Sequence, residues 1–251
     1  MNRAETVVSA MLDAIRGVIV EHDVTYEEYA IAKQWLMDVG EAGEWPLFLD
    51  VFVETTVERN AFRGRAGSAG TILGPYHLPD APVLDAPFEL PRRPDEQGEP
   101  LTLSGRVTDA EGTPLAGAVL DVWHADAEGF YSGFHPDLPP GIFRGKVIAD
   151  AEGRYEVNTI LPAPYTIPHE GPTGAMVAAC EWHPWRPAHI HLIVDAPGHE
   201  PLITQLFFEG SDYLDGDVAG AVKEDLVVRP VGGRVEYDFA LAPAEVPLAA
   251  A

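Results

Sequence analysis

The chain has 251 residues, 46% of them hydrophobic, which suffices for one large domain or for a small domain attached to a larger one. Its 16 Lys and Arg against 40 Asp and Glu leave a net charge of -24. That charge repels phosphate backbones and anionic headgroups, so neither nucleic acid nor a membrane is an expected partner. The single Cys180 cannot close an internal disulfide, and no basic and apolar leader stands near the start. No run approaches the roughly 18 to 20 apolar residues that span a bilayer, and the Pro- and Ala-rich end from Leu241 is too short for an anchor. A cytoplasmic, soluble protein is expected.

Residues 5–21 place Val8, Met11, Leu12, Ile15, Val18 and Ile19 at helical spacing, which predicts an amphipathic helix. A second helix is expected over 25–39, where Tyr29, Trp35 and Leu36 occur with no internal Gly or Pro. A third apolar run covers 45–57 and opens with Pro46 just after Trp45, a favoured way to begin a helix. Residues 1–74 are therefore expected to form a helical N-terminal region. Seven prolines from Pro75 to Pro100 exclude helix interiors and predict an extended connection over 75–100.

Short alternating runs follow at 101–107, 118–124, 145–149, 155–160, 190–194 and 235–241. The tripeptide Ala-Glu-Gly begins at Ala110, Ala127 and Ala151 as a turn signal between them. Residues 101–251 are expected to form an antiparallel β-sandwich, making the chain α+β and mainly β.

His189 and His191 stand two residues apart in Arg-Pro-Ala-His-Ile-His-Leu-Ile-Val. In a strand both imidazoles project from one face while Ile190 points into the core. By itself the pair fits hydrogen-bonded core residues as well as metal ligands. The chain offers no cysteine cluster and no carboxylate at matching spacing to complete a site, but it does offer Tyr131 and Tyr165. A phenolate is an anionic oxygen donor suited to a hard, highly charged cation, which selects ferric iron over zinc.

The surrounding strings are longer. They are Gly-Ala-Val-Leu-Asp-Val-Trp-His-Ala-Asp-Ala-Glu-Gly-Phe-Tyr-Ser-Gly over 117–133 and Pro-Ala-Pro-Tyr-Thr-Ile-Pro-His-Glu-Gly-Pro-Thr-Gly over 162–174. Trp-Arg-Pro-Ala-His-Ile-His over 185–191 and Pro-Gly-His-Glu-Pro-Leu-Ile-Thr-Gln over 197–205 follow in the same order. From about Val39 to Phe239 the chain resembles the intradiol ring-cleaving dioxygenases, and several long motifs in one order are far more specific than any one of them.

The resemblance implies a non-haem Fe(III) centre with Tyr131, Tyr165, His189 and His191 as ligands. Tyr165 and His191 would be axial, Tyr131 and His189 equatorial. It also implies that Tyr165 accepts a substrate proton, that Arg186 stabilises negative charge developing on the ring, and that Gln205 orients a ligand nearby. The expected reactants are an aromatic diol and O2, and the expected products are cis,cis-muconates. His124 and His183 are read as packing or surface residues, and Cys180 as inert.

Within that family the segments around 39–52, 72–76 and 164–174 look most like chlorocatechol 1,2-dioxygenases. The match implies a substrate pocket lined by Leu47, Asp50, Val51, Ile72, Gly74, Pro75 and Tyr76, with Arg186 closing one side and Ala219 near the ring substituent. Plain catechol and hydroxyquinol are alternative substrates. The resemblance further implies a homodimer paired through the N-terminal helices, with an apolar tunnel able to hold phospholipid tails. Two readings from other classes are a transthyretin-like or carbohydrate-binding sandwich without chemistry, and a zinc hydrolase that would be colourless.

Overall fold

A computed structural model describes residues 2–244, and the Pro- and Ala-rich end beyond Ala244 lies outside the described residues. Four helices come first: α1 (Arg3–Glu21), α2 (Tyr26–Glu41), α3 (Trp45–Phe52) and α4 (Glu54–Ala61). The Asn2 side chain caps α1 by accepting from Glu5 N, and Thr25 with Glu28 forms a reciprocal capping box at α2, so each helix start has a free N–H satisfied locally. The apolar run expected over 45–57 is two helices, because Val53 leaves helical geometry (φ -122°) and α4 restarts at Glu54.

No residue of α1 is buried, and Val8, Met11, Leu12, Ile15, Val18 and Ile19 are exposed along one stripe. The helix α2 is tied to the rest by Trp35, whose Nε1 donates to the Pro172 carbonyl at 2.8 Å. That carbonyl belongs to α5 (Pro172–Ala179). Among the described residues no helix is long and apolar enough to cross a membrane.

Residues 75–99 form no named helix or strand, although Val83 and Glu89 bridge to Lys146 and Asn158. The remainder is two packed sheets. One places β4 (Arg154–Ile160) on one edge of β1 (Pro100–Asp109), with β10 (Arg234–Glu236) and β11 (Phe239–Leu241) sharing the other edge. The second runs β3 (Arg144–Ile148), β2 (Val119–His124), β7 (His189–Asp195), β8 (Leu202–Phe208), β9 (Val227–Val228). A ribbon of β5 (Tyr165–Thr166) and β6 (Trp185–Arg186) stands apart.

The expectation of a purely antiparallel sandwich is corrected here. β10 and β11 run parallel to β1, and β9 runs parallel to β8. The long excursion after β8 and the late return of the chain bring these short strands alongside in the same direction as their neighbours. The single strand expected over 235–241 divides at Asp238, whose carboxylate takes the Arg106 N–H at 2.7 Å in place of a ladder carbonyl. The three Ala-Glu-Gly turns are present, with Gly112, Gly129 and Gly153 all at positive φ. Between the sheets lies one buried cluster that includes Leu103, Val107, Leu120, Val122, Val157, Ile190, Leu206 and Phe239.

Candidate metal centre

The strand β7 sets the site through its period of two. His189 and His191 are each 1% exposed on one face, while Ile190 packs into the core on the other. Their Nε2 atoms lie 3.1 Å apart. The Nδ1 atom of His189 is 2.7 Å from the Pro187 carbonyl, which can only accept, so Nδ1 carries the proton and Nε2 presents a bare lone pair. Burial, with the Arg186 charge adding to it, pushes His189 down to about 3, and burial likewise holds His191 well below the usual imidazole range. Both rings are held neutral, as metal coordination requires.

Tyr131 and Tyr165 reach the same spot from a turn and from β5 respectively. Asp126 closes the turn by accepting from Glu128 N and Phe130 N, both at 2.9 Å, and is itself held by Arg93 at 3.0 Å. This Asx turn delivers the Tyr131 hydroxyl to 3.5 Å from His189 Nε2. Gly129, at φ +90°, lets the turn lie against Tyr165, since a Cβ there would stand 2.9 Å from the Tyr165 Cβ. The two phenol rings meet edge to face at 5.2 Å, and the Tyr165 ring is 5.5 Å from that of His189. Burial raises both phenols above their ordinary range, and the Arg186 charge acts in the opposite direction.

Arg186 is opposite Tyr165 in the β5–β6 ladder. Its Nε and Nη2 donate to the two oxygens of Asp217 at 2.9 and 3.0 Å, Nη2 also donates to Gln205 Oε1 at 3.0 Å, and Nη1 is 3.2 Å from His189 Nε2. Burial opposes the arginine charge, but Asp217 together with the Tyr165 and Tyr131 oxygens raises Arg186 above its ordinary value. Gln205 donates its Nε2 to the Ile72 carbonyl at 2.7 Å, so it holds Arg186 at one end and the 71–74 segment at the other.

Gly74 of the expected wall lies beside the histidines: a Cβ on it would stand 3.4 Å from His191 Cε1. Tyr76 stacks on Tyr131 at 4.4 Å. Pro75, half-buried, connects these two. Leu47, Val51, Ile72 and Ala219 share the main buried cluster, and Asp50 is half-buried on the same helix as Leu47 and Val51. A cleft of about 480 Å³ opens onto Tyr76, Tyr131 and Tyr165, and of the expected wall residues only Tyr76 borders it.

Sequence reasoning did not single out Glu54, which accepts from Leu73 N at 3.0 Å and Gly74 N at 3.4 Å, nor Asp217, Asp126 or Arg93. Trp123 lies within the 117–133 string, and its place beside His191 has no signature in the sequence. His124 is a packed core histidine, bonded to the Ala125 carbonyl and Thr159 Oγ1 at 2.6 Å each. His183 and Cys180 are exposed.

Among the described residues no group of three or more His, Cys, Asp or Glu gathers to hold a metal ion. Two imidazole lone pairs and two phenols without a carboxylate or thiolate suit a hard trivalent cation, whose charge is what a buried phenol needs to ionise. They do not suit the donor sets usual for zinc.

The chain is similar to known dioxygenases over nearly all of its length. Residues 2–68 match the family described as catechol dioxygenase N terminus, and residues 72–241 match the one described as dioxygenase. A chlorocatechol 1,2-dioxygenase of Rhodococcus opacus is 47% identical over 219 residues, covering 86% of this chain and 85% of that protein. Another, from Pseudomonas sp. strain P51, is 41% identical over 243 residues and covers 95% and 96%. The crystal structure of 3-chlorocatechol 1,2-dioxygenase from Rhodococcus opacus 1CP superposes with a TM-score of 0.92 at 46% identity, covering 96% of this chain and 99% of that one. With family matches running from residue 2 to residue 241, the chain belongs to the intradiol ring-cleaving dioxygenases.

Proposed function

We propose that this protein is a non-haem ferric intradiol dioxygenase that opens catechol and chloro- or methyl-substituted catechols with O2 to cis,cis-muconates. The observation that carries the reading is the convergence of His191 Nε2 and the Tyr131 hydroxyl to within 3.5 Å of His189 Nε2, beside Tyr165 and under one guanidinium nitrogen. Bound by Tyr131, Tyr165, His189 and His191, ferric iron would supply Lewis acidity and draw electron density from a chelated diol, making the ring itself reactive toward O2.

The chain's own residues supply the rest. A catechol sheds protons as it chelates, and the Tyr165 oxygen, ionised by holding the iron, would be the base placed to take one of them. Arg186 presents a fixed positive charge where negative charge grows on the ring, and it cannot lose its proton to the substrate. Gln205 and Asp217 keep that charge in place. The four ligand side chains are at most 5% exposed, so they are shielded from bulk water and each of these charges acts at greater strength. Leu47, Val51, Ile72 and Ala219 form the apolar wall in this reading, with Asp50, Gly74, Pro75 and Tyr76 completing it, and such a wall suits a chlorine or methyl substituent.

The reading includes a cytoplasmic homodimer paired through α1 and α2. The exposed apolar stripe of α1 supports that pairing, and lipid tails are candidate occupants of the seam. Iron analysis, a visible spectrum and turnover of catechol, chlorocatechols, methylcatechols and hydroxyquinol test the proposal. A red to burgundy iron protein that turns over chlorocatechols at rates comparable to or above catechol is expected. A fully metallated, colourless zinc protein would overturn the proposal in favour of a hydrolase, and turnover confined to hydroxyquinol would overturn the substrate class.

A further inference from the structure

Asp217 lies in the excursion between β8 and β9, 31 residues from Arg186, within Tyr-Leu-Asp-Gly-Asp-Val-Ala-Gly over 213–220. Nothing in that string marks it as functional. Its side chain is 2% exposed, a position a carboxylate takes only when its charge and lone pairs are matched. All of its bonds are specific. The oxygen Oδ1 accepts from Arg186 Nε at 2.9 Å and Ala219 N at 3.2 Å, while Oδ2 accepts from Arg186 Nη2 at 3.0 Å and Ala221 N at 3.0 Å. The carboxylate therefore grips the guanidinium with both oxygens and, with the same two atoms, closes its own loop.

Two further bonds extend the connection. The Ala221 carbonyl accepts from Thr71 Oγ1 at 2.9 Å, and Gln205 joins Arg186 Nη2 to the Ile72 carbonyl. The loop over 217–221, the guanidinium and the 71–72 segment are thus one hydrogen-bonded unit. Asp217 and Gln205 occupy Nε and Nη2 and leave Nη1 as the nitrogen turned to His189 Nε2, at 3.2 Å. A planar guanidinium held at two of its nitrogens has its third fixed in direction.

We infer that Asp217 is a positioning residue for the ring-cleavage reaction: it fixes where the Arg186 charge points and couples that charge to the loop carrying Ala219. This rests on the proposed dioxygenase activity. Arg186 has three single-bonded side-chain carbons to order before it can face a substrate, and the two-oxygen fork orders them before substrate arrives. The choice of Asp follows from geometry. Glu would keep the charge but move the fork by one methylene, and Asn would keep the shape but lose the charge and one acceptor.

The test uses the full-length, iron-loaded protein as wild type, Asp217→Glu, Asp217→Asn, Arg186→Met and the double variant Asp217→Asn with Arg186→Met. Steady-state kinetics on catechol and amide hydrogen exchange over 217–221 are measured for each. Asp217→Glu, which keeps the buried charge balanced, is expected to retain iron and to lose roughly tenfold or more in kcat while KM changes by less than about threefold. Asp217→Asn is expected to add little to the loss already caused by Arg186→Met, because both act through one guanidinium. Arg186→Met is expected to speed exchange at Ala219 and Ala221, since the carboxylate that takes those two N–H groups then lacks its partner.

Wild-type kcat in Asp217→Glu, or losses from Asp217→Asn and Arg186→Met that multiply, would overturn the inference. If Asp217→Asn alone does not fold, Asp217→Glu and the exchange measurement on Arg186→Met decide it. A wild-type protein that gives no muconate would defeat the dioxygenase reading instead. The exchange measurement would still report whether Asp217 joins Arg186 to the loop, and unchanged exchange in Arg186→Met would overturn that link by itself.

Discussion

His191 lies flat against Trp123, with ring centroids 4.8 Å apart and planes 6° from parallel, and the two residues are direct partners across β2 and β7. On its other side His191 pairs with Gln205 of β8, so three site residues form one row across the sheet. Neither His191 Nδ1 nor Trp123 Nε1 finds a hydrogen-bond partner among the described residues. His189 is oriented through its Nδ1 bond to Pro187, whereas the His191 ring is oriented by stacking.

Replacing Trp123 should therefore loosen iron. Trp123→Leu removes the stacking plane and is expected to weaken iron retention by roughly 10- to 100-fold, the range usual for losing a group that orients a ligand. Trp123→Phe keeps a ring and should hold iron more tightly than Trp123→Leu. Competition against a chelator, followed by the visible band, measures both; equal retention by the two variants would show that stacking does not orient His191.

Removing a ligand should be more severe than removing a base. His189→Ala and His191→Ala are each expected to lose both iron and turnover, since one of four protein donors is gone. Tyr165→Phe should slow substrate binding and ring cleavage even in molecules that retain iron. Metal analysis alongside single-turnover kinetics separates the two kinds of lesion, and wild-type turnover in iron-replete Tyr165→Phe would remove Tyr165 from the proton-accepting role.

Val51 is 3% exposed in the main cluster, which leaves little room for a larger side chain. Val51→Phe is expected to lower kcat/KM for 3- or 4-chlorocatechol relative to catechol by about tenfold or more, corresponding to about 1 to 3 kcal/mol acting on the substituent. Thermal melts identify any general loss of fold. An equal loss on both substrates would take Val51 out of the substituent wall.

His124 gives a pH signature separate from the metal ligands. Burial lowers it from an ordinary 6.5 to about 4, so between those values the unfolded chain binds a proton that the folded chain does not. Stability contributed by neutral His124 is thus fully present above about pH 6.5 and falls as pH drops toward 4, by an amount on the order of 3 kcal/mol. Urea midpoints at pH 7, 6 and 5 should decline more steeply for the wild type than for His124→Asn. Parallel declines would place the titrating group elsewhere.

Much of this arrangement is legible in the chain because it depends on local rules. His189 and His191 share a face through strand period alone, and Pro46 and the Thr25–Glu28 capping box mark helix starts that the structure contains. β8 is harder to read, since Leu202–Phe208 is buried on both faces and shows no alternation. α5 hides behind Gly-Pro-Thr-Gly, which reads as a turn although Pro172 occupies a favourable first helical position. Asp217, Asp126 and Glu54 act by accepting hydrogen bonds from groups brought close only by the fold or by a tight turn. An acidic chain offers many similar carboxylates and no spacing that separates these three from the rest.

The most direct test of the account is the identity of the product formed from catechol and O2 by the purified, iron-loaded protein, read by absorbance and mass. Ring opening between the two hydroxyls predicts cis,cis-muconate from catechol and the corresponding chloromuconates from chlorocatechols. Recovery of a hydroxymuconic semialdehyde would mean that the ring opens beside the diol, and would contradict the assignment of Tyr131, Tyr165, His189 and His191 to an intradiol ferric centre.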